Sequence, residues 1–357
     1  MSLCVYIGRF SPFHNRQAAV LNAALKKYSQ VLVIIGTHNE ARTIKNPWTC
    51  DERNQMLQDW KKLNPSGNLV VRYIEDNPYN DTLWASKVNS IVSDHAEVFG
   101  FEKSNIYLTG TERDATGFYL KMFPQWKQDL FTDTSISHSL SATKVRELYF
   151  GSTLSGNFVS GSDREMLLST LMPITTVHFL TKFQTTEYFG YLLAEYNQIV
   201  QYKNSWKSAP YAPMFLTTDA VVVQAGHILL ITRKHSPGKG LLALPGGFLN
   251  QTEWMVDGAI RELQEETKIK LSPAQLRGSI KAEKIFDKPD RSLRGRTVTM
   301  AYLFQLNEVG ELPKVSAADD AAAVQWYTLS DVRNMKNQLF DDHYHIIETM
   351  IAQMKSL

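Results

Sequence analysis

The chain predicts two joined α/β units: a doubly wound parallel sheet, then a smaller α+β unit. Three observations carry that prediction. Short apolar runs alternate with helical patterns through the first half, the order that βαβ units require. The second half is rich in β-type runs arranged around one carboxylate-laden helix. Between the halves, residues 203–213 hold two prolines, two serines and an asparagine, a linker composition.

In chain order, residues 3–7, 31–35, 69–74 and 106–108 are short and mostly apolar, and predict parallel strands buried on both faces. Residues 17–27, 51–62 and 83–95 carry helical spacing between them. Thr49 and Glu52 stand three apart at one helix start, the spacing of a capping box. Ligands of such sheets bind at the carboxyl ends of the strands. Residues 175–180 predict one further strand, and residues 187–202 a helix leading into the linker. Beyond it, residues 219–223, 227–233, 298–305 and 324–328 predict strands. The last helix, 342–354, sets Ile346, Ile347, Met350, Ile351 and Met354 on one stripe, as core packing requires.

A chain of 357 residues with 43% hydrophobic content suits two domains with cores of their own. A net charge of +2 implies no strong field for nucleic acid or membrane. Cys4 and Cys50 are too few for a disulfide framework or a cysteine zinc site, and suggest a reducing compartment. No apolar run approaches a membrane span and no basic-then-apolar leader is visible, so a cytoplasmic location is expected. The oligomeric state stays open, a homo-oligomer included.

The most specific signal is the stretch from Gly247 to Ile269. Glu262, Glu265 and Glu266 stand at i, i+3 and i+4, which puts three carboxylates on one helix face. Hard divalent cations take such oxygen donors and can activate water against a phosphoryl group. Gly247, Glu253, Arg261, Glu262, Leu263, Glu265, Glu266 and Ile269 match the pattern G-x5-E-x7-R-E-U-x-E-E-x-G-U, so the segment resembles the Nudix hydrolases. That resemblance implies metal ligation by Gly247, Glu262, Glu265 and Glu266, with Glu265 and Glu266 catalytic, and an Arg261–Glu253 pair bracing the preceding loop. Lys268 departs from the pattern, standing where the family has glycine. A left-handed backbone there costs a non-glycine residue about 1–2 kcal/mol, and no metal ligand is lost.

A second motif follows the first strand directly. Gly8-Arg9-Phe10-Ser11-Pro12-Phe13-His14 resembles the G-x-F-x-P-x-H-x-G-H signature of the HxGH nucleotidyltransferases. Their second signature, I-S-x-T-x-x-R, is similar to Leu140-Ser141-Ala142-Thr143-Lys144-Val145-Arg146. The implied ATP and phosphate contacts are Gly8, Arg9, Phe10, His14, Arg16, Ser141, Thr143 and Arg146, with His14 and Arg146 catalytic. Gly8 allows a close turn at a strand end. Imidazole, helix N-terminus and guanidinium each suit phosphate. Gln17 and Arg16 replace the family's second histidine and its glycine. Losing a charge-assisted hydrogen bond in that way costs about 1.5–3 kcal/mol.

Further stretches narrow the substrates. Lys45-Asn46-Pro47-Trp48-Thr49, with Glu52 and Arg53, resembles a segment of the archaeal-type nicotinamide mononucleotide (NMN) adenylyltransferases. Asn80-Asp81-Thr82-Leu83-Trp84 is similar to their nicotinamide pocket, with Trp84 on the ring and Asn80 or Asp81 on the amide. The implied NMN contacts are Lys45, Asn46, Trp48, Arg53, Asn80, Asp81 and Trp84. Residues 114–120 and 123–126 also resemble that family and are expected to pack in the core. Residues 286–296 resemble the ADP-ribose pyrophosphatase branch of Nudix enzymes, which implies phosphate or ribose contacts from Arg294 and Arg296. Asp319 and Asp320 are expected in a surface loop near the site. The order of the resemblances is that of the bifunctional NMN adenylyltransferase/ADP-ribose pyrophosphatases. It implies a nucleotidyltransferase domain over 1–185, a helix and linker over 186–213, and a Nudix domain over 214–357. The substrates would be NMN, ATP and ADP-ribose, with Mg²⁺ or Mn²⁺ in both domains. Two rival readings stand beside it: a Nudix hydrolase whose impaired first domain senses nucleotide, and a Nudix-type transcriptional regulator. The regulator lacks a helix-turn-helix pattern or basic stripe.

Overall fold

The computed structural model describes residues 1–110, 117–132, 140–151, 153–154, 157–158, 161–307 and 310–354. Two compact units, Met1–Tyr196 and Asn197–Leu357, divide the chain. Among the described residues, no helix is long and apolar enough to cross a membrane.

The first unit runs β1 (Leu3–Gly8), α1 (Asn15–Lys27), β2 (Gln30–Ile35), α2 (Cys50–Leu63), β3 (Leu69–Tyr73), α3 (Asp81–Phe99), β4 (Ile106–Gly110) and β5 (Lys127–Leu130). It continues with α4 (Ala142–Gly151), the short pair β6 (Thr153–Leu154) and β7 (Asn157–Phe158), α5 (Gly161–Leu171), α6 (Ile174–Phe183) and α7 (Glu187–Ser205). The strands form a parallel sheet in the order β3-β2-β1-β4-β5. The chain reverses its direction of travel between β1 and β4, which opens a crevice at their carboxyl ends. Leu3, Val5, Leu32, Ile34, Val88, Val92, Leu108 and Phe123 fill the core on one face. The expected capping box opens α2: Thr49 Oγ1 accepts the Glu52 N–H at 3.2 Å, and Glu52 accepts the Thr49 N–H at 2.8 Å.

Residues 175–180 are not a strand. They lie in α6, with Pro173 at its N-cap. The β-branched run Ile174-Thr175-Thr176-Val177 imitates a strand, but burial of Thr176, Leu180 and Phe183 follows i, i+4, i+7. The expected helix before the linker is longer, since α7 takes in residues 203–205, and the division between units falls inside it. Residues 114–116 lie outside the described residues. Leu120, Phe123 and Trp126 are buried, and the rings of Phe123 and Trp126 stack at 4.6 Å, so these three are core, while Pro124 and Gln125 are exposed.

The second unit runs β8 (Met214–Gln224), β9 (His227–Arg233), β10 (Leu242–Ala243), β11 (Gly246–Phe248), α8 (Met255–Thr267), α9 (Pro273–Gly278), β12 (Ile280–Phe286), β13 (Arg296–Gln305), β14 (Ala321–Thr328), α10 (Leu329–Arg333) and α11 (His343–Met354). Its mixed sheet has the order β10-β9-β8-β13-β12, with β11 on β8 and β14 on β9. The apolar face of α8, Ala259, Ile260 and Leu263, packs with Ala220, Val222, Leu229, Tyr302 and Phe304 of the sheet. That packing fixes which face of α8 presents its carboxylates. On α11, Ile346, Ile347 and Met350 are fully buried, and Ile351 and Met354 half-buried, as a core stripe should be.

Candidate functional site

At the crevice of the first unit, two motifs distant in sequence meet. Arg146 on α4 donates to the Ser11 carbonyl at 2.5 Å, and its other terminal nitrogen reaches Thr143 Oγ1 at 3.3 Å. Burial, then the neighbouring Arg9, lowers the Arg146 pKa to about 10, which still leaves it charged at neutral pH. Ser141 Oγ accepts the Lys144 N–H at 3.4 Å and caps α4. His14 is the N-cap of α1. Burial first, and Arg16 second, push its pKa down to about 3. His14 is therefore a neutral imidazole and not an imidazolium. Its Nδ1 is buried with no partner among the described residues. Arg16 is itself buried in α1.

The left-handed residue of this loop is Phe10, at φ +52°. Gly8 serves another purpose: a Cβ there would stand 3.1 Å from the Phe10 ring. Phe10 is fully buried against Tyr6 and Phe13, so its side chain is core and not an ATP contact. Arg9 is exposed.

Two further residues expected at the mononucleotide prove to be scaffolding. Arg53 is buried, and its guanidinium donates to the carbonyls of Trp48, Thr49, Arg9, Gly36 and Thr37 and to Cys50 Sγ. With its donors spent on the protein, it clamps the ends of β1 and β2 together. Trp48 is 1% exposed and packs on Tyr149, Phe150 and Phe183. Lys45 and Asn46 are half-buried at a turn where the Asn46 N–H meets the Thr43 carbonyl at 2.9 Å. Asn80 Oδ1 accepts the Leu83 N–H at 2.9 Å, so it caps α3, and Asp81 beside it is exposed. Trp84 is half-buried against Tyr119 and Phe123, leaving part of its ring accessible. Sequence reasoning missed Asp76, which accepts the Thr37 N–H at 3.2 Å and its hydroxyl at 2.8 Å, tying the loops after β2 and β3. Only the run of polar residues after β3 hinted at it.

In the second unit, Arg261 organises the carboxylates. It grips Glu253 with two nitrogens at 3.0 and 2.7 Å, and its Nη1 lies 2.8 Å from Glu262 and 2.9 Å from Glu265. The Asn250 N–H adds a 2.7 Å bond to Glu253. Arg261 in particular holds the Glu253 carboxyl down at about 2. Glu266 is buried and accepts the Gly246 N–H at 3.0 Å. Burial above all raises its pKa to about 8, and Glu262 adds to the rise. Burial likewise raises that of Glu262, with Glu265 and Asp319 contributing. A Cβ on Gly247 would lie 2.5 Å from Glu262 Oε1, so the backbone of β11 lies against that carboxylate. Asp319 and Asp320 are exposed, and their charges bear on Glu262 and Glu266.

Among the described residues, no three acidic, histidine or cysteine side chains close on one point. The donors nevertheless fit a hard divalent cation. A cationic nitrogen of Arg261 already lies between Glu262 and Glu265, and all the oxygens lie on one face of α8 beside β11.

Arg294 precedes β13 and Arg296 opens it. Arg294 lies over the Phe248 ring at 5.0 Å, and its Nε has no partner among the described residues. Arg296 donates to the Asp287 carbonyl and braces its own loop. Arg233, at the end of β9, was missed. It stacks over Phe340 at 4.1 Å, and Arg294 and Glu266 both act on its charge.

Known families match this division. A cytidylyltransferase-like family model matches residues 5–148, and a NUDIX domain model matches residues 214–350. A nicotinamide/nicotinic acid mononucleotide adenylyltransferase of Acinetobacter baylyi is 29% identical over 54% of this chain and 92% of its own length. An ADP-ribose pyrophosphatase of Methanocaldococcus jannaschii is 30% identical over 42% of this chain and 81% of its own. A crystal structure of a bifunctional NMN adenylyltransferase/ADP ribose pyrophosphatase from Francisella tularensis, complexed with AMP and a manganese ion, is 34% identical. It covers 99% of both chains with a TM-score of 0.84. Because one protein matches both halves in the same order and from end to end, the chain belongs to the family of the bifunctional NMN adenylyltransferase/ADP-ribose pyrophosphatases.

Proposed function

We propose that this chain is a bifunctional enzyme of NAD metabolism. In residues 1–185, the phosphate of NMN attacks the α-phosphorus of ATP. The bond to the β-phosphate breaks, and NAD and pyrophosphate leave. In residues 214–357, water splits the diphosphate of ADP-ribose to give AMP and ribose 5-phosphate. Residues 186–213 are the helix and linker between the two activities. The observation that carries the reading is the end-to-end likeness to the Francisella enzyme at 34% identity. The contact of Arg146 with Ser11 supports it, since it joins the two transferase motifs at one crevice.

The NMN phosphate is already an anion, so adenylyl transfer needs no general base. Positioning and charge stabilisation suffice. Neutral His14 donates one N–H to a phosphate oxygen. Arg146, held on Ser11, turns its remaining donors to the phosphates, and the start of α4 at Ser141 and Thr143 adds backbone N–H groups. Arg9 supplies further positive charge, and Arg16 acts through His14. Lys45, Asn46, Asp81 and Trp84 take the mononucleotide, with Trp84 against the pyridine ring. Mg²⁺ accompanies ATP.

In the hydrolase, Glu262, Glu265, Glu266 and the Gly247 carbonyl would hold Mg²⁺ or Mn²⁺, whose charge neutralises the diphosphate and acidifies water. Arg261 and Glu253 keep the loop before α8 in place, and Arg294 takes a phosphate or ribose oxygen. Free Cys4 and Cys50 suit a cytoplasmic location.

The test is Arg146→Lys. It should lower NAD formation from NMN and ATP by at least about 100-fold, because a point charge cannot replace the fork. ADP-ribose hydrolysis by the same protein should not change. Loss of both activities together, or of neither, would contradict the division of labour.

A further inference from the structure

The loop of residues 36–49 carries Lys45 and Asn46, and it is held from a part of the chain that neither transferase motif includes. The Ile44 N–H donates to Glu195 Oε2 at 2.5 Å across 151 residues of sequence. Glu195 has 0% exposure. Two turns earlier on the same side of α7, the Tyr188 ring receives the Arg42 guanidinium at 4.2 Å. Fully buried Leu192 lies between these positions. Phe183, at the end of α6, adds contacts to Arg42 at 5.7 Å and to the Trp48 ring at 6.0 Å. Arg42 in turn grips Glu52 at 2.8 and 3.0 Å and the Pro47 carbonyl at 2.6 Å. One face of α7 thus holds the loop at Arg42 and Ile44, the residues just before Lys45 and Asn46.

We infer that Glu195 is a positioning residue for adenylyl transfer, holding the 42–48 loop where Lys45 and Asn46 meet the mononucleotide. The inference rests on the proposed transferase reading and adds to it a residue that touches no substrate. Packing alone does not call for Glu195. A carboxylate with no exposure is costly, and an apolar side chain of similar volume would fill the space. What a carboxylate adds is an acceptor oxygen for the Ile44 N–H.

The experiment compares Glu195→Leu, which keeps the volume and removes the acceptor, with Glu195→Gln, which keeps an acceptor oxygen. The KM values for NMN and ATP, the kcat for NAD formation, ADP-ribose hydrolysis and hydrogen exchange of the Ile44 amide are measured on the full chain. Glu195→Leu should raise the KM for NMN about tenfold while the KM for ATP stays within about twofold. Ile44 exchange should quicken by about 100-fold, with hydrolysis unchanged. Glu195→Gln should recover most of both effects. An unchanged KM for NMN despite faster Ile44 exchange would overturn the inference, since the loop would then be held without serving the substrate. A parallel rise in both KM values with a falling kcat would also overturn it, because that is general loosening. Failure of the transferase reading itself is told apart because the unsubstituted protein would then form no NAD.

Discussion

Gln17 Oε1 accepts the backbone N–H of His14 at 3.3 Å. The residue that replaces the family's second histidine thus closes the first turn of α1, the turn that carries the imidazole proposed to bind phosphate. Gln17→Ala should lower stability by about 1 kcal/mol in denaturant unfolding, and cut NAD formation about tenfold. Gln17→Glu keeps the acceptor and should keep the stability. If Gln17→Ala unfolds at the same denaturant concentration as the unsubstituted protein, the cap has no energetic role.

Lys268 closes α8 in the left-handed conformation, with φ +49° and ψ +28°. The sequence departs from the Nudix pattern here, and the backbone keeps the glycine geometry regardless. Lys268→Gly should therefore stabilise the second unit by about 1 kcal/mol, with ADP-ribose hydrolysis within about twofold. A thermal midpoint that falls would show that the lysine side chain more than offsets its backbone strain.

Glu253 holds Arg261 of α8 with both carboxylate oxygens and lies against Gly258 of the same helix. Glu253→Gln removes the charge that anchors Arg261 and leaves every proposed metal donor in place. Hydrolysis should fall about 10- to 100-fold, the usual size of an outer-shell effect. Raised Mn²⁺ should restore part of it. A rate equal to that of the unsubstituted protein would mean that Arg261 needs no partner.

His14 has a pH signature. Its pKa falls from 6.5 to about 3 on folding, because burial disfavours the charged ring. The unfolded chain then binds the extra proton between those values. This part of the stability is present above pH 6.5 and is lost as the pH falls towards 3, at up to about 1.4 kcal/mol per pH unit. His14→Asn should flatten the acid limb of stability against pH by close to one proton. Identical slopes would place a charged His14 in the folded protein.

What was legible in the sequence follows from how local each cause is. The carboxylates of α8 were legible because Glu262, Glu265 and Glu266 stand at i, i+3 and i+4, so helix geometry alone puts them on one face. β2 was legible because Val31 to Ile35 are all buried, so each had to be apolar. β5 was not: Lys127-Gln128-Asp129-Leu130 is polar, and the strand exists through its pairing with β4. Residues 175–180 misled because β-branched residues favour strands until tertiary burial chooses a helix face. The motifs named His14, Arg146 and the glutamates as candidates. They could not tell that Arg53 and Trp48 are scaffolding, because their partners lie on other elements. Glu195 and Ile44, 151 residues apart, share no pattern that one sequence displays.

The most direct test of the whole account uses Glu266→Gln protein. NAD formed from NMN, ATP and Mg²⁺ is followed by chromatography, and ADP-ribose hydrolysis is followed in the same preparation. The account predicts sustained NAD formation with hydrolysis lost by at least about 1,000-fold, since one proposed metal donor is gone while the first unit is untouched. Folded protein that forms no NAD would contradict the transferase assignment, and hydrolysis at full rate would contradict the metal face on α8.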